Sequence, residues 1–416
     1  MATEKTNIWV YAHWAGMPQP KCIGILSSQY SKGRRIYSFE YNKDWLKSEE
    51  QLILDPDIGW YSGVQYPVKK ENFGMFLDSM PDSWGRTLMK RKASQSARAK
   101  GETPRVLHDI DFLLGVADFC RMGALRFKLD PDGPFLDNDK DLPVPPWTTV
   151  RELQHIAALV ESDKDTKELK RWLTLLMAPG SSLGGARPKA NIMDNKGHLW
   201  IAKFPSKNDN IDKAKWEFLT YSLAVKAGIK MSESKIENVT GPYATFFTKR
   251  FDRIFTERIH FASAMTVTGN NEDTIRDKRS SYLDLALFIQ DHSGNVRKDL
   301  IELWRRIVFN IAVSNTDDHL RNHGFIIENG SWRLSPAFDV NPSIDKEELS
   351  LNIDEESGAL DFDLALSVIE YFRLNPSEAQ SILTHVLKTV SLWKKTAKQI
   401  GIANSEAELM RVAFRL

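Results

Sequence analysis

An Asn-Gly pair at 329–330, set between the short runs Gly324 to Glu328 and Ser331 to Leu334, constrains this chain more than any other local feature. Both residue types tolerate positive φ, so the pair closes a two-residue turn between antiparallel strands. Upstream, Leu300, Trp304, Ile307, Val308 and Ile311 recur at helical spacing and predict a buried helix that delivers the chain to Ser314-Asn315-Thr316-Asp317-Asp318-His319. The hairpin then brings Asp339, in Pro336-Ala337-Phe338-Asp339, back toward Asn322 despite their separation in sequence.

Asp317 and Asn322 have the spacing of the base Asp and the Mg²⁺-binding Asn in the protein kinase catalytic loop, where a second metal-binding Asp follows, as Asp339 does here. In that chemistry Asp317 accepts the proton of a substrate hydroxyl, while Asn322 and Asp339 hold the metal that neutralises phosphate charge. Two features depart from ordinary kinases: Asn315-Thr316 replaces His-Arg before the base, and Val340-Asn341 replaces Phe-Gly after Asp339. Two other readings fit the same residues. Asp317, Asp318 and Asn322 are turn formers that can cap a loop and start a strand. Asp317, Asp318, His319 and His323 also form the kind of cluster a metal hydrolase uses, although the turn argues against both histidines sharing one helix face.

Composition narrows the classes. A chain of 416 residues, 42% hydrophobic and 27% charged, reads as a globular protein of roughly two or three domains. A net charge of +1 predicts no large nucleic-acid-binding face, so contact with DNA is expected only through a partner. Two cysteines, Cys22 and Cys120, suit a reducing cytosol and offer no disulfide framework. No apolar leader and no apolar run of about 18 residues occurs, so the expectation is a cytoplasmic protein without a membrane span.

Residues 1 to about 65 read as β-rich, with Ile8 to Tyr11, Cys22 to Leu26 and the alternating Tyr37, Phe39 and Tyr41 separated by Gly, Pro and Ser. A helical stripe follows from Phe73 to Met89, interrupted or kinked at Pro81. A Pro- and Asp-rich stretch, Leu129 to Pro146, places a boundary near 145. The expected domains are therefore 1–145, 146–280 and 281–416. Short helices are expected over Val150 to Glu161 and Lys167 to Met177, and from Ser281 the chain is mostly helical, with Asn375 capping a helix that starts at Pro376 and ends at Gly401.

In the middle region, Ser181-Ser182-Leu183-Gly184-Gly185-Ala186-Arg187-Pro188-Lys189 has adjacent glycines whose backbone N–H groups can approach phosphate oxygens, and it reads equally as a surface turn. It opens into two strands, Asn191 to Met193 and His198 to Phe204, with Leu199, Ile201 and Lys203 on one face. In kinases, the lysine on such a strand pairs phosphates and a Glu from the next helix. Here Trp216, Leu219, Thr220, Leu223, Ala224 and Ala227 make that helix, Gly228 stops it, and Glu217 lies early in it. A strand-end lysine that snorkels to solvent, and a first-turn acid favoured by the helix dipole, are the simpler readings of Lys203 and Glu217. Tyr243 to Phe251, which includes Lys249, reads as a further strand leading to the connector that meets the nucleotide base.

These residues resemble the HipA family of bacterial serine/threonine kinases, the toxins of toxin-antitoxin modules. The resemblance lies in Pro81-Asp82-Ser83-Trp84-Gly85-Arg86, Met122-Gly123-Ala124-Leu125, Ser182 to Lys189, Ile201-Ala202-Lys203-Phe204-Pro205, Arg250-Phe251-Asp252-Arg253, Thr316 to Asn322 and Leu334 to Asp339. It implies an α+β, distantly protein-kinase-like two-lobed fold: a β-rich N-terminal subdomain, a mixed α/β nucleotide-binding region and an all-helical C-terminal lobe. It further implies ATP and Mg²⁺ as cofactors, Asp317 as base, and Asn322 and Asp339 as metal ligands. Lys203, with Glu217, Gly184, Gly185, Ala186, Lys189, Lys249 and Phe251, would form the nucleotide site. Autophosphorylation would fall on Ser182 or its neighbour Ser181. The implied protein substrate is an aminoacyl-tRNA synthetase, and the implied partner is a helix-turn-helix antitoxin that carries any contact with DNA. A non-catalytic binding subunit of a repressor complex and a small-molecule kinase remain alternatives.

Overall fold

The structure, a computed structural model, describes residues 5–48, 51–136, 144–162, 176 and 185–416. Ser181, Ser182 and Gly184, and the helix expected over Lys167 to Met177 apart from Leu176, lie outside the described residues. The chain divides into two compact units, one of residues 1–202, 252–271 and 327–330, the other of 203–251, 272–326 and 331–416.

In the first unit, β1 (Lys5–Ala12), β2 (Lys21–Ser31), β3 (Arg34–Tyr41), β4 (Val64–Gln65) and β5 (Leu125–Lys128) form a sheet of order β4-β3-β2-β1-β5. Every second residue of β1 from Ile8, namely Ile8, Val10 and Ala12, is fully buried, the period-2 signature of a sheet with one face on the core. Lys32 and Gly33 both take positive φ, 48° and 80°, and let β2 turn directly into β3. Pro81 does interrupt the helical stripe: α1 (Gly74–Leu77) and α2 (Ser83–Lys100) flank it, and the Asp82 carboxylate caps α2 by accepting the Gly85 N–H at 2.8 Å. α2 runs on past Met89, where the apolar stripe predicts an end, because Lys90 to Lys100 is rich in Ala, Arg, Lys and Gln, all strong helix formers. α3 (Val150–Glu161) has the bounds expected and buries Val150, Leu153, Ile156 and Val160. Then come β6 (Lys189–Met193) and β7 (Leu199–Lys203), neighbours in one sheet.

The second unit is built on α4 (Lys213–Lys226), the antiparallel pair β8 (Ser234–Glu237) and β9 (Thr245–Lys249), and the helices α5 (Tyr282–His292) and α6 (Val296–Ala312). α6 is buried along most of its length, and the expected stripe of Leu300, Trp304, Ile307, Val308 and Ile311 has no exposure. β10 (Gly324–Glu328) and β11 (Ser331–Leu334) are joined by Asn329 and Gly330 at φ 52° and 74°, the turn that the Asn-Gly pair demands. The single helix expected from Pro376 to Gly401 is two: α7 (Pro376–Val390) and α8 (Trp393–Ile400). No Gly or Pro breaks them; α7 packs on α6 and α8 on α4, so tertiary contacts set the break at Ser391-Leu392. Asn375 caps α7, Pro376 is its first residue and Gly401, at φ 79°, ends α8. Among the described residues no helix is long and apolar enough to cross a membrane.

Candidate active site

The site in the second unit is assembled from α6, the loop after it, the segment after β11, and α4. The Asp299 carboxylate near the start of α6 accepts the guanidinium of Arg333 twice, at 2.9 Å each, and the Leu334 N–H at 3.1 Å, which fixes β11 on the helix. Beyond β11, the Ala337 N–H donates to the Lys230 carbonyl at 2.7 Å, and the Thr220 hydroxyl of α4 donates to the Val340 carbonyl at 2.5 Å. Asp339 is thus held between two anchored neighbours and takes φ 57°, a left-handed conformation that Asp tolerates better than most residues.

Lys203 ends β7, and its ammonium donates to Glu217 Oε1 and to Asp339 Oδ1, each at 2.6 Å. The sequence places these carboxylates 14 residues away on α4 and 136 residues away. Burial by itself would lower the Lys203 pKa, but the charges of Asp339 and Glu217 outweigh it and hold the amine well above the ordinary lysine value. Lys203 is therefore a fixed cation and not a snorkelling strand end, and Glu217, a buried residue, is more than a dipole-favoured surface acid.

After α6, Ser314 takes φ 48° and starts the loop. Asp317 is exposed, with a side chain 74% accessible, and the Lys346 ammonium lies 4.0 Å from its Oδ1. The Asn322 amide nitrogen donates to the Asp317 carbonyl at 3.0 Å, while its Oδ1 is buried without a hydrogen-bond partner. A buried amide oxygen left unpaired is costly, and a cation satisfies it. Together with the carboxylate of Asp339, that orphaned oxygen fits the hard, oxygen-seeking Mg²⁺ ion. Asp339 also meets this loop through its neighbour, since the Asn341 N–H donates to Asn315 Oδ1 at 3.2 Å and the Ser343 N–H to the Ser314 carbonyl at 3.0 Å.

The Asp-Asp-His cluster that suggests a hydrolase does not converge. Asp318 turns into the core, where its Oδ2 accepts from the Tyr282 hydroxyl, from Asn310 Nδ2 at 2.7 Å and from His323 Nε2 at 2.8 Å. Burial, followed by the charge of Asp318, pushes the Tyr282 hydroxyl well above the usual tyrosine pKa, so it stays a donor. Among the described residues no group of three or more His, Cys, Asp or Glu is placed to hold a metal.

Other sequence-predicted residues have defined neighbours. The Phe251 ring is 5.7 Å from the Phe338 ring, beside Asp339, and Lys249 Nζ is 3.8 Å from Glu233. In the first unit, Gly185, at φ 102°, and Ala186 are exposed. Lys189 is buried, and its ammonium donates to Asp82 Oδ2 at 2.6 Å and to the Gly185 carbonyl at 3.2 Å, while the Trp84 indole N–H donates to the Lys189 carbonyl at 3.0 Å. Asp82 and Trp84, which the sequence offers as part of the Pro81 to Arg86 motif, thus hold the end of the glycine-rich segment. The polar motif Pro81 to Arg86 was the available signal, and its partner lies more than a hundred residues on.

A family model described as HipA-like C-terminal domain matches residues 181–394. A protein of Haemophilus influenzae named as a putative kinase is 26% identical over 179 residues, which cover 38% of this chain and 52% of that protein. The chain thus spans about half the length of the curated relative it matches. Among solved structures, the chain is similar to one from the Shewanella oneidensis complex of HipA, HipB and its operator DNA, with a TM-score of 0.67, 17% identity, and coverage of 98% of this chain and 94% of that one. At that identity the likeness establishes the fold: a mixed helix-and-sheet architecture of the HipA kind.

Proposed function

The chain belongs to the HipA family, whose C-terminal domain it matches over more than half its length, and on that premise we propose that it is an ATP- and Mg²⁺-dependent serine/threonine protein kinase. The observation that carries the reading is Lys203 bridging Glu217 and Asp339 while Asn322 keeps an unpaired buried oxygen on the loop that exposes Asp317.

In this reading the Lys203 ammonium, oriented by Glu217, takes the nucleotide phosphates, and the family resemblance assigns Gly184, Gly185 and Ala186 to phosphate binding. Lys249 and Phe251 belong to the segment that meets the base. Asn322 and Asp339 would hold Mg²⁺, which supplies charge neutralisation between the phosphates. Asp317, open to solvent and not committed to a buried partner, accepts the proton of the incoming serine or threonine hydroxyl. Lys189, engaged with Asp82, acts on the glycine-rich segment from within. The family reading extends to a cytoplasmic toxin that phosphorylates an aminoacyl-tRNA synthetase, silences itself by phosphorylation at Ser182 or Ser181, and is restrained by a helix-turn-helix antitoxin.

The test is transfer of labelled phosphate from ATP to the protein itself and to candidate synthetases. Wild type should label and Asp317→Ala should lose at least about a thousandfold in rate, because positioning and electrostatics supply nearly all of the catalysis. Equal labelling by the two proteins would remove Asp317 as base. No thermal stabilisation by saturating Mg²⁺-ATP would favour instead a non-catalytic repressor subunit.

A further inference from the structure

Behind the loop that carries Asp317 runs a single chain of hydrogen bonds that the proposed reaction does not itself use. It starts at Asp339, whose Oδ1 accepts from Asn341 Nδ2 at 3.3 Å. The Asn341 backbone N–H donates to Asn315 Oδ1 at 3.2 Å, Asn315 Nδ2 donates to Asn310 Oδ1 at 3.1 Å, and Asn310 Nδ2 donates to Asp318 Oδ2 at 2.7 Å. The same Asp318 oxygen accepts from His323 Nε2 at 2.8 Å. Asn310, Asn315, Asp318 and His323 are each at most 3% exposed.

The direction of this chain is forced by chemistry. A carboxylate only accepts, so the amide next to Asp318 must present its NH₂ group, which leaves its oxygen for the next amide. Asn315 therefore turns its own NH₂ group toward Asn310, and its oxygen is left for a backbone N–H, which can only donate. The three links from the Asn341 N–H through Asn315 and Asn310 to Asp318 are oriented the same way, while the two end links, from Asn341 Nδ2 to Asp339 and from His323 to Asp318, point the other way. Aligned hydrogen bonds in a dry interior polarise and strengthen one another. Asn310 and Asn315 cannot be replaced by aspartate, their closest isostere, without losing a donor.

The ends of the chain meet the residues proposed to hold the metal: one end is Asp339 itself, and the other is His323, adjacent to Asn322. We propose that Asn310, Asn315 and Asp318 are positioning residues that set the separation of Asn322 from Asp339, and hence the geometry of the proposed metal site. Asp318 and His323 bracket the loop segment that ends in Asn322, so their bond fixes that end, while Asn315 ties it to the segment bearing Asp339. The inference rests on the kinase reading and deepens it. Lys203 meets the chain at its Asp339 end and is held independently by Glu217, so affinity for the nucleotide phosphates should survive when the chain is cut at Asn310 or Asn315.

The experiment measures labelled phosphate transfer in the full-length protein, with ATP and Mg²⁺ titrated separately, and Mg²⁺ binding directly by calorimetry, for wild type, Asp317→Ala, Asn315→Ala, Asn310→Ala, Asn310→Asp and the double alanine variant. Loss of a residue supporting a metal ligand costs about 10- to 100-fold in activity or metal affinity. Asn315→Ala and Asn310→Ala should each lower kcat by that factor and raise the half-saturating Mg²⁺, with KM for ATP changed by less than about threefold. Asn310→Asp should be no better than Asn310→Ala, because shape is kept and the donor is lost. The double variant should fall no further than the worse single one, since both cut the same chain. If Asn310→Ala does not fold, Asn315→Ala carries the test by itself. A folded Asn315→Ala with wild-type kcat and Mg²⁺ midpoint, in a protein whose transfer depends on Asp317, overturns this proposal alone. Wild type without Asp317-dependent transfer overturns the kinase reading and this proposal with it.

Discussion

Each unit buries a cluster of charged side chains, and the two clusters are unbalanced in opposite senses. In the first unit, Asp118 accepts from Arg126 at 2.6 Å and Arg258 at 2.9 Å, and Asp252 accepts from Arg253 at 2.7 Å and the Gly123 N–H at 2.8 Å. Arg121 is caged by the carbonyls of Ser79, Leu113 and Val116 and lies over the Phe127 ring. What is left over is a donor, Arg258 Nη1, buried without a partner. Burial, with repulsion from Arg126 and Arg121 added, outweighs the pull of Asp118 and Asp252 and brings the Arg258 pKa down to about 10. On the loop after α6 in the second unit the groups left open are acceptors: the buried Asn322 amide oxygen and the exposed carboxylate of Asp317. Spare donors on a caged guanidinium cost a hydrogen bond and attract little, whereas spare acceptors on a loop beside a lysine are what a metal and a hydroxyl need. On the kinase reading, the difference separates a clip that holds a fold from the site proposed for a metal and a substrate hydroxyl.

The largest expected effect tests the acceptor side. Asp339→Asn keeps the shape but removes the charge that faces Lys203, and phosphate transfer should fall by about 10² to 10³ with the fold intact. If Asp339→Asn transfers phosphate at the wild-type rate, the unit-two cluster is only structural and the contrast collapses. Next comes the donor side. Arg121→Leu leaves three buried carbonyls without partners and should cost roughly 3 kcal/mol in denaturant unfolding. Transfer per folded molecule should stay normal, and an activity loss beyond the unfolded fraction would mean that the first cluster also serves catalysis.

Much of the site could be read because local rules suffice there. Asn329-Gly330 demands its turn, the stripe from Leu300 to Ile311 demands a buried helix, and Lys203 sits among apolar strand neighbours where a charge calls for a partner. What escaped was decided by packing. The break at Ser391 has no breaker residue, and the two helices part because they pack on different partners. Asn310 lies between Phe309 and Ile311 on a helix buried almost throughout, so a polar residue there called for a partner, but no periodicity says that the partner is Asp318. Asp318 and Asp317 look alike in sequence, and the fold gives them opposite environments.

A smaller effect separates acid sensitivity from the site. Burial pushes the His260 ring, in the first unit, down to about 3. Its folded pKa lies below the unfolded value of about 6.5, so its contribution is complete above that pH and is lost as pH falls from there toward 3. At pH 5 the cost should be about 2 kcal/mol. Unfolding free energies at pH 7 and pH 5 should fall further for wild type than for His260→Phe, which keeps an aromatic ring near Trp14, 5.5 Å from the histidine. Parallel losses in the two proteins would show that the acid sensitivity lies elsewhere.

The smallest effect is the most discriminating, because it concerns a residue argued to matter only for chemistry. Among the described residues the Asp317 side chain has one charged neighbour, Lys346 at 4.0 Å, and both are well exposed, at 74% and 58%. Solvent screening leaves such a pair worth about 0.5 kcal/mol or less. Asp317→Ala should therefore unfold within about 0.5 kcal/mol of wild type, while the same substitution should lower transfer by at least about a thousandfold. A stability loss of several kcal/mol would instead mean that Asp317, like its neighbour Asp318, holds the loop, and any loss of transfer in the variant would then report a misplaced loop and not a missing base.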